Sequence, residues 1–145
     1  MEKYELGNDI KVMYVQVSSF PAGIEAAYKE LEKKLPSVDN RTFYGISYGS
    51  ENGTIIYKAA ATQLPDDNPE QLELDTFVIK KGIYFSELIR DFMKNIPQIG
   101  VTFQKMLEHP LLDTNSYCLE WYKGKDVLCL VKLDLSKEKQ TAESA

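Results

Sequence analysis

Tyr117 to Tyr122 (YCLEWY) and Val127 to Val131 (VLCLV) are two β-rich runs separated by Lys123-Gly124-Lys125-Asp126. Such runs joined by a short turn containing glycine read as a β-hairpin. Side chains alternate along a strand, and directly paired residues share a face. A turn of two or four residues therefore sets Glu120 opposite Cys129, Cys118 opposite Val131 and Tyr122 opposite Val127. The other face carries Leu119, Trp121, Leu128 and Leu130, is wholly apolar, and reads as the face that meets the helices. Glu120 is then expected on the opposite side, facing a cleft among Cys118, Tyr122 and Cys129. An ionised carboxylate in apolar surroundings is costly unless it is paired, hydrogen-bonded or protonated. Its expected partner is a protein donor, water, or a cationic or hydrogen-bonding ligand, and a solvated sheet face is the plainer alternative.

Upstream of the hairpin the chain alternates strands and helices. Ile10 to Ser18 predicts a strand, and Pro21 suits the first turn of a helix whose stripe is Ile24, Ala27, Tyr28, Leu31 and Leu35, ended by Pro36. Thr42 to Gly49 and Thr54 to Leu64 predict two strands around the turn Ser50-Glu51-Asn52-Gly53. A polar loop, Pro65 to Gln71, leads to a strand over Leu72 to Lys81. Phe85, Leu88, Ile89, Phe92, Met93 and Ile96 then fit an amphipathic helix, and a further helix after Pro97 carries Ile99, Phe103, Met106 and Leu107 to Pro110. The order is strand, helix, two strands, given twice, with the stripes Ile24/Ala27/Tyr28/Leu31 and Phe85/Leu88/Ile89/Phe92 offset by 61 residues. It predicts an α+β fold in which duplicated units form a curved antiparallel sheet with helices on one side. Residues 1–135 are expected to be one domain and 136–145 a disordered polar tail.

Composition narrows the functions. A net charge of -5 without a clustered basic patch argues against a nucleic-acid role, since binding the phosphate backbone needs grouped Lys and Arg. Lys29, Lys33 and Lys34 are interleaved with Glu25, Glu30 and Glu32 and read as a solvated helix face. No stretch of the sequence is apolar for about 18 residues, and a cytoplasmic protein is expected. Cys118 and Cys129 have neither metal-ligand spacing nor the density of a disulfide framework, and read as free, buried thiols. His109, the one histidine, sits at a helix end where an imidazole commonly meets free carbonyls. Asp66/Asp67 and Glu70/Glu73 read as solvated charge. Motifs for nucleotide, nicotinamide, serine-hydrolase and zinc-protease chemistry are absent, so no cofactor and no metal are expected. The nine Tyr supply flat apolar walls with hydroxyls, as strand formers or as a ligand pocket.

The strand-to-helix start VQVSSFPAGIEAAYKEL, the strands RTFYGISYG and YKAAATQ, the segment VIKKGIYF and the run LEWY resemble the gyrase-inhibitor-like family. Its members are effector-binding domains of bacterial multidrug regulators of the AraC and MerR types, and their stand-alone relatives. The resemblance covers residues 8 to 134. It implies a cleft between two pseudo-symmetric halves that takes hydrophobic, often cationic, small molecules, with an acid on the penultimate strand reaching into it. Glu120 in Leu119-Glu120-Trp121-Tyr122 stands at that position. Tyr44, Tyr48, Tyr57 and the region of Tyr84 would supply walls, with Cys118 and Tyr122 beside the acid. No DNA-binding module accompanies the domain in this sequence, so a stand-alone small-molecule-binding protein is expected. One alternative is a hydrolase of reactive small molecules using Glu120 as acid or base. Another is a module that inhibits a protein partner.

Overall fold

The structure, a computed structural model, describes residues 1–138 of the 145. Its strands are β1 (Glu2–Leu6), β2 (Ile10–Gln16), β3 (Phe43–Gly49), β4 (Ile55–Thr62), β5 (Asp75–Ile79), β6 (Gly82–Ile89), β7 (Cys118–Lys123) and β8 (Asp126–Lys132). The helices are α1 (Ile24–Lys34) and α2 (Pro97–Met106), with a 3-10 turn at Phe92–Lys94. Two compact units result: Asp9–Lys80, and Met1–Asn8 together with the chain from Lys81 onward. Each is α+β, an antiparallel sheet with one α-helix against one face.

In the unit of residues 9–80, β4 pairs with β3 on one side and β2 on the other, and β2 pairs with β5. Helix α1 forms because its apolar residues recur at helical spacing, with Glu25 in the first turn and Lys33 and Lys34 in the last, each sign placed to favour the helix dipole. It sets Ala27 and Leu31 against Met13, Tyr57, Ala59 and Ala61, whose alternation points them to one face. The small residues of β4 let the helix approach.

The second unit repeats this plan. β8 pairs with β7 and β6, and β6 pairs with β1. Phe103 and Met106 of α2 meet Val127, Cys129 and Val131. The strand-helix-strand-strand duplication therefore stands, with a different match of helices. α1 begins at 24 and α2 at 97, an offset of 73 residues, whereas the stripe expected over Phe85 to Ile96 begins in strand β6. GIYFSELI has both periods available. Pairing with β1 and β8 on its two edges selects the period of two, which packs Phe85 and Ile89 under α2 and leaves Leu88, Met93 and Ile96 exposed, Met93 at 68%.

The edge strands are exchanged along the chain: β1 precedes β2 yet pairs with β6, and β5 precedes β6 yet pairs with β2. β1, with the sequence EKYEL, carries no apolar run and is missed by hydropathy alone. Of the expected polar tail, residues 136–138 are helical, and the Ser136 N–H and O–H donate to Asp134; residues 139–145 lie outside the described residues.

One ion pair corrects the solvated reading of Asp67. Arg41 donates from Nη1 to Asp67 Oδ2 at 2.5 Å and from Nη2 to Oδ1 at 2.9 Å, with side chains 2% and 5% exposed. Arg41 also donates to the carbonyls of Ser37 and Thr62, and Asp67 accepts from the Leu64 N–H. This bidentate pair closes the loop after β4 onto the loop before β3. Breaking a buried pair leaves an uncompensated charge, so Asp67→Ala is expected to cost about 3–5 kcal/mol in urea unfolding. The Arg41 hydrogen bonds, first among the causes, hold the Asp67 carboxyl below its ordinary value. The stability it contributes is present above the unfolded carboxylate value of about 3.9 and is lost as pH falls through the lower folded value. The gap in melting temperature between parent and Asp67→Ala is expected to narrow as pH is lowered below about 4.

Candidate functional site

The last hairpin has the expected pairing: Cys118 opposite Val131, Glu120 opposite Cys129, Tyr122 opposite Val127, with a two-residue turn at Gly124-Lys125. Gly124 has φ +63, a left-handed conformation that glycine adopts without a Cβ penalty. The faces are the reverse of the expectation. Cys118, Tyr122, Val127, Cys129 and Val131 meet α2, while Leu119, Trp121, Leu128 and Leu130 lie on the other face, where Trp121 packs edge-on to Tyr4 at 6.0 Å. Apolarity could not choose between them, because Leu119 and Leu130 are as buried as Val127 and Cys129. The Val and Cys side chains are the smaller set and leave room for Phe103 and Met106.

Glu120 therefore stands on the helix-bearing face and is 7% exposed. Its Oε1 accepts a hydrogen bond from the Tyr122 hydroxyl, two residues along the strand. The Tyr122 ring lies 5.3 Å from Phe92. Cys129 stands opposite Glu120 on one side and Glu87 on the other, so the row across the sheet reads Glu87, Cys129, Glu120. Glu87 pairs with the N-terminal ammonium of Met1 at 3.2 Å.

This setting fixes the state of the thiols. Burial, with the Glu120 charge second, pushes Cys118 up to about 11, and burial with the charges of Glu120, Cys118 and Glu87 pushes Cys129 up to about 12. Both are free and remain protonated at neutral pH, which removes them as nucleophiles. They serve as small neutral walls around the carboxylate.

The tyrosines expected near the acid are distributed between faces. In its unit, Tyr84 is fully buried on the face opposite Glu120, where its hydroxyl shares a hydrogen bond with Tyr117 at 3.0 Å. In the unit of residues 9–80, Tyr57 lies under α1, its hydroxyl 3.1 Å from that of Tyr28, which donates to the Tyr44 carbonyl at 2.7 Å. The half-exposed Phe20 ring stacks on Tyr57 at 5.9 Å. Tyr44 and Tyr48 point to the face away from α1. Glu120 and Tyr57 thus each lie on the helix-bearing face of their own unit, whereas Tyr44, Tyr48 and Tyr84 do not.

Sequence reasoning missed Tyr28 and Phe20, for which the signal was their proximity to the start of α1. It also missed Lys58, which alternation along β4 places opposite in direction to Tyr57. His109 departs from the carbonyl-capping expectation: its Nδ1 accepts from the Leu111 N–H, and its ring lies 4.5 Å from Phe85. Among the described residues no cluster of His, Cys, Asp and Glu could hold a metal ion, and no helix is long and apolar enough to cross a membrane.

The two units can be compared position by position. Gly45 and Glu120 are the third residues of β3 and β7, and both point to the helix face. The fold accepts glycine there, so the acid at 120 is not required by the architecture.

No family model and no curated protein matches the sequence. Among solved structures, the chain is similar to the protein SAV2435 bound to tetraphenylphosphonium, with a TM-score of 0.65 and 12% identity over 94% of this chain and 95% of that one. It is similar to an integron cassette protein from the mobile metagenome of Vibrio cholerae, with a TM-score of 0.57, 17% identity and coverage of 91% and 94%. A hydrolase from Listeria innocua gives a TM-score of 0.58 and 12% identity over 92% and 90%. At these identities the likeness is one of fold.

The thiol environment gives a direct check. At pH 8 in native buffer neither cysteine is expected to react appreciably with a disulfide reagent, and both are expected to react within minutes in urea, where burial and the neighbouring carboxylate are removed. Fast native reaction of either thiol would show that this face opens.

Proposed function

We propose that this protein binds hydrophobic cationic small molecules, with Glu120 as the counter-charge. The observation that carries the reading is a carboxylate buried to 7% exposure at a position where the other unit has glycine. Burying a carboxylate is unfavourable, and a sequence that keeps one without structural need gains a charge poised for a ligand. Tyr122, held against Glu120, offers an aromatic face that favours cations, and Phe92 extends it. Cys118 and Cys129 are neutral and apolar, which strengthens the field of the acid by excluding water. The tetraphenylphosphonium bound to SAV2435 supports the ligand class, a bulky cation without hydrogen-bond donors. The free, protonated thiols fit a reducing, cytoplasmic setting.

A second reading rests on the hydrogen bond from Tyr122 to Glu120. A carboxylate and a phenol in contact form an acid–base pair able to activate water, and a hydrolase shares the fold.

Glu120→Gln separates the readings because it removes charge at nearly constant shape. For a counter-charge, calorimetric titration is expected to show tetraphenylphosphonium binding at least about tenfold more weakly to the variant, a loss of about 1.4 kcal/mol. Triphenylphosphine oxide, a neutral analogue, is expected to bind both proteins alike. For an acid–base role, hydrolysis of an activated aryl ester disappears in the variant while binding persists. Equal tetraphenylphosphonium affinity in parent and variant, with no turnover by either, would exclude both roles for Glu120.

A further inference from the structure

On the sheet face opposite α1, each of the four strands in the unit of residues 9–80 contributes one side chain to a second charged site. Lys58 of β4 is 7% exposed. Its Nζ lies 4.6 Å from the centre of the Tyr14 ring on β2, 5.1 Å from that of Tyr48 on β3 and 4.5 Å from that of Phe77 on β5. These distances are those of cation–π contact. The rings stabilise the charge but offer no lone pair to the three N–H donors of an ammonium. Among the described residues Lys58 makes neither a hydrogen bond nor an ion pair, and its Nζ retains contact with solvent. The three rings are themselves only partly buried.

The architecture does not demand this cation. Gly45 stands opposite Ala59 as Glu120 stands opposite Cys129, which makes Leu128 the counterpart of Lys58 in the other unit. Leucine serves there. A lysine at 58 carries a desolvation cost that a leucine would avoid, and what it adds is a positive charge with unused donors, framed by aromatic walls.

We propose that the Lys58 cage is a ligand site for aromatic carboxylates. The carboxylate accepts charge-assisted hydrogen bonds from Nζ, while the ring of the ligand packs against Tyr14, Tyr48 and Phe77. The resident ammonium excludes cations, so the ligand class is opposite in charge to the one proposed for Glu120, and this inference does not depend on that reading.

The test uses the full chain with 1-naphthoate, 1-naphthylmethanol and acetate as probes, followed by calorimetry and by NMR of the Lys58 Cε and Nζ signals. Saturable naphthoate binding is expected, with the neutral alcohol and the ringless acetate each at least about tenfold weaker. Lys58→Met, which keeps length and removes charge, is expected to raise the naphthoate Kd at least about tenfold, and Glu120→Gln to leave it unchanged. Equal naphthoate affinity in Lys58→Met, or no saturable binding by the parent, overturns the site. Acetate binding as tightly as naphthoate overturns the aromatic class. Should Lys58→Met fail to fold, the parent decides: Lys58 signals that shift saturably with naphthoate and not with the alcohol support the site, and signals that stay still overturn it.

Discussion

A two-residue turn at Gly124-Lys125 sets which side chains share a face with Glu120, and the environment of the acid follows from it. Pairing in an antiparallel sheet has a period of two, so a slip of one residue would carry Glu120 to the face of Leu119 and Trp121 and bring those bulky groups under α2. The left-handed conformation of Gly124 is what a turn this short requires. Around it, burial and hydrogen bonding follow from register: Cys129 flanks the carboxylate because it stands opposite, and Cys118 and Tyr122 lie beside it because each is two residues along the same strand face.

Comparison of the two units separates what the architecture needs from what this sequence adds. Matching positions in β3 and β7, and in β4 and β8, carry small or apolar residues in one unit and a charge in the other: Gly45 against Glu120, and Leu128 against Lys58. Both charged residues are buried to the same degree, and both carry a solvation penalty that packing alone would remove. The bidentate geometry of the Arg41–Asp67 pair, with further bonds to Ser37, Thr62 and Leu64, satisfies both partners internally, which marks it as structural.

Much of the fold was legible because its signals are local. The stripe of α1, the turn at Ser50 to Gly53 and the pairing of the last hairpin depend on neighbours in sequence, and each was read correctly. β6 was not, because its residues satisfy helical and strand periods alike and the choice is made by partners distant in the chain. The face on which α2 lies was hidden for a different reason: both faces of β7 and β8 carry buried apolar residues, and the one contrast in the sequence, the charge of Glu120, argues against the face that the helix covers. Asp67 read as solvent-exposed because its loop is polar, and its partner Arg41 is 26 residues away. Of the site, the acid and its immediate neighbours were visible from alternation, whereas the scattering of the tyrosines over different faces depends on register that the sequence does not print.

The exchange of edge strands orders events during synthesis. Asp9–Lys80 is continuous, so every strand of that unit has emerged once β5 is made. β1 emerges first of all yet finds its partner only when β6 follows, after roughly 80 residues, which at about 5–20 residues per second is a wait of roughly 4–16 s. During that interval its backbone is an open edge available to any other strand. Glu2, Lys3 and Glu5 place a charge at three of its five positions, the device by which exposed edges are kept from pairing with neighbouring chains. The polar character that hides β1 from hydropathy is thus what keeps it single until its partner arrives.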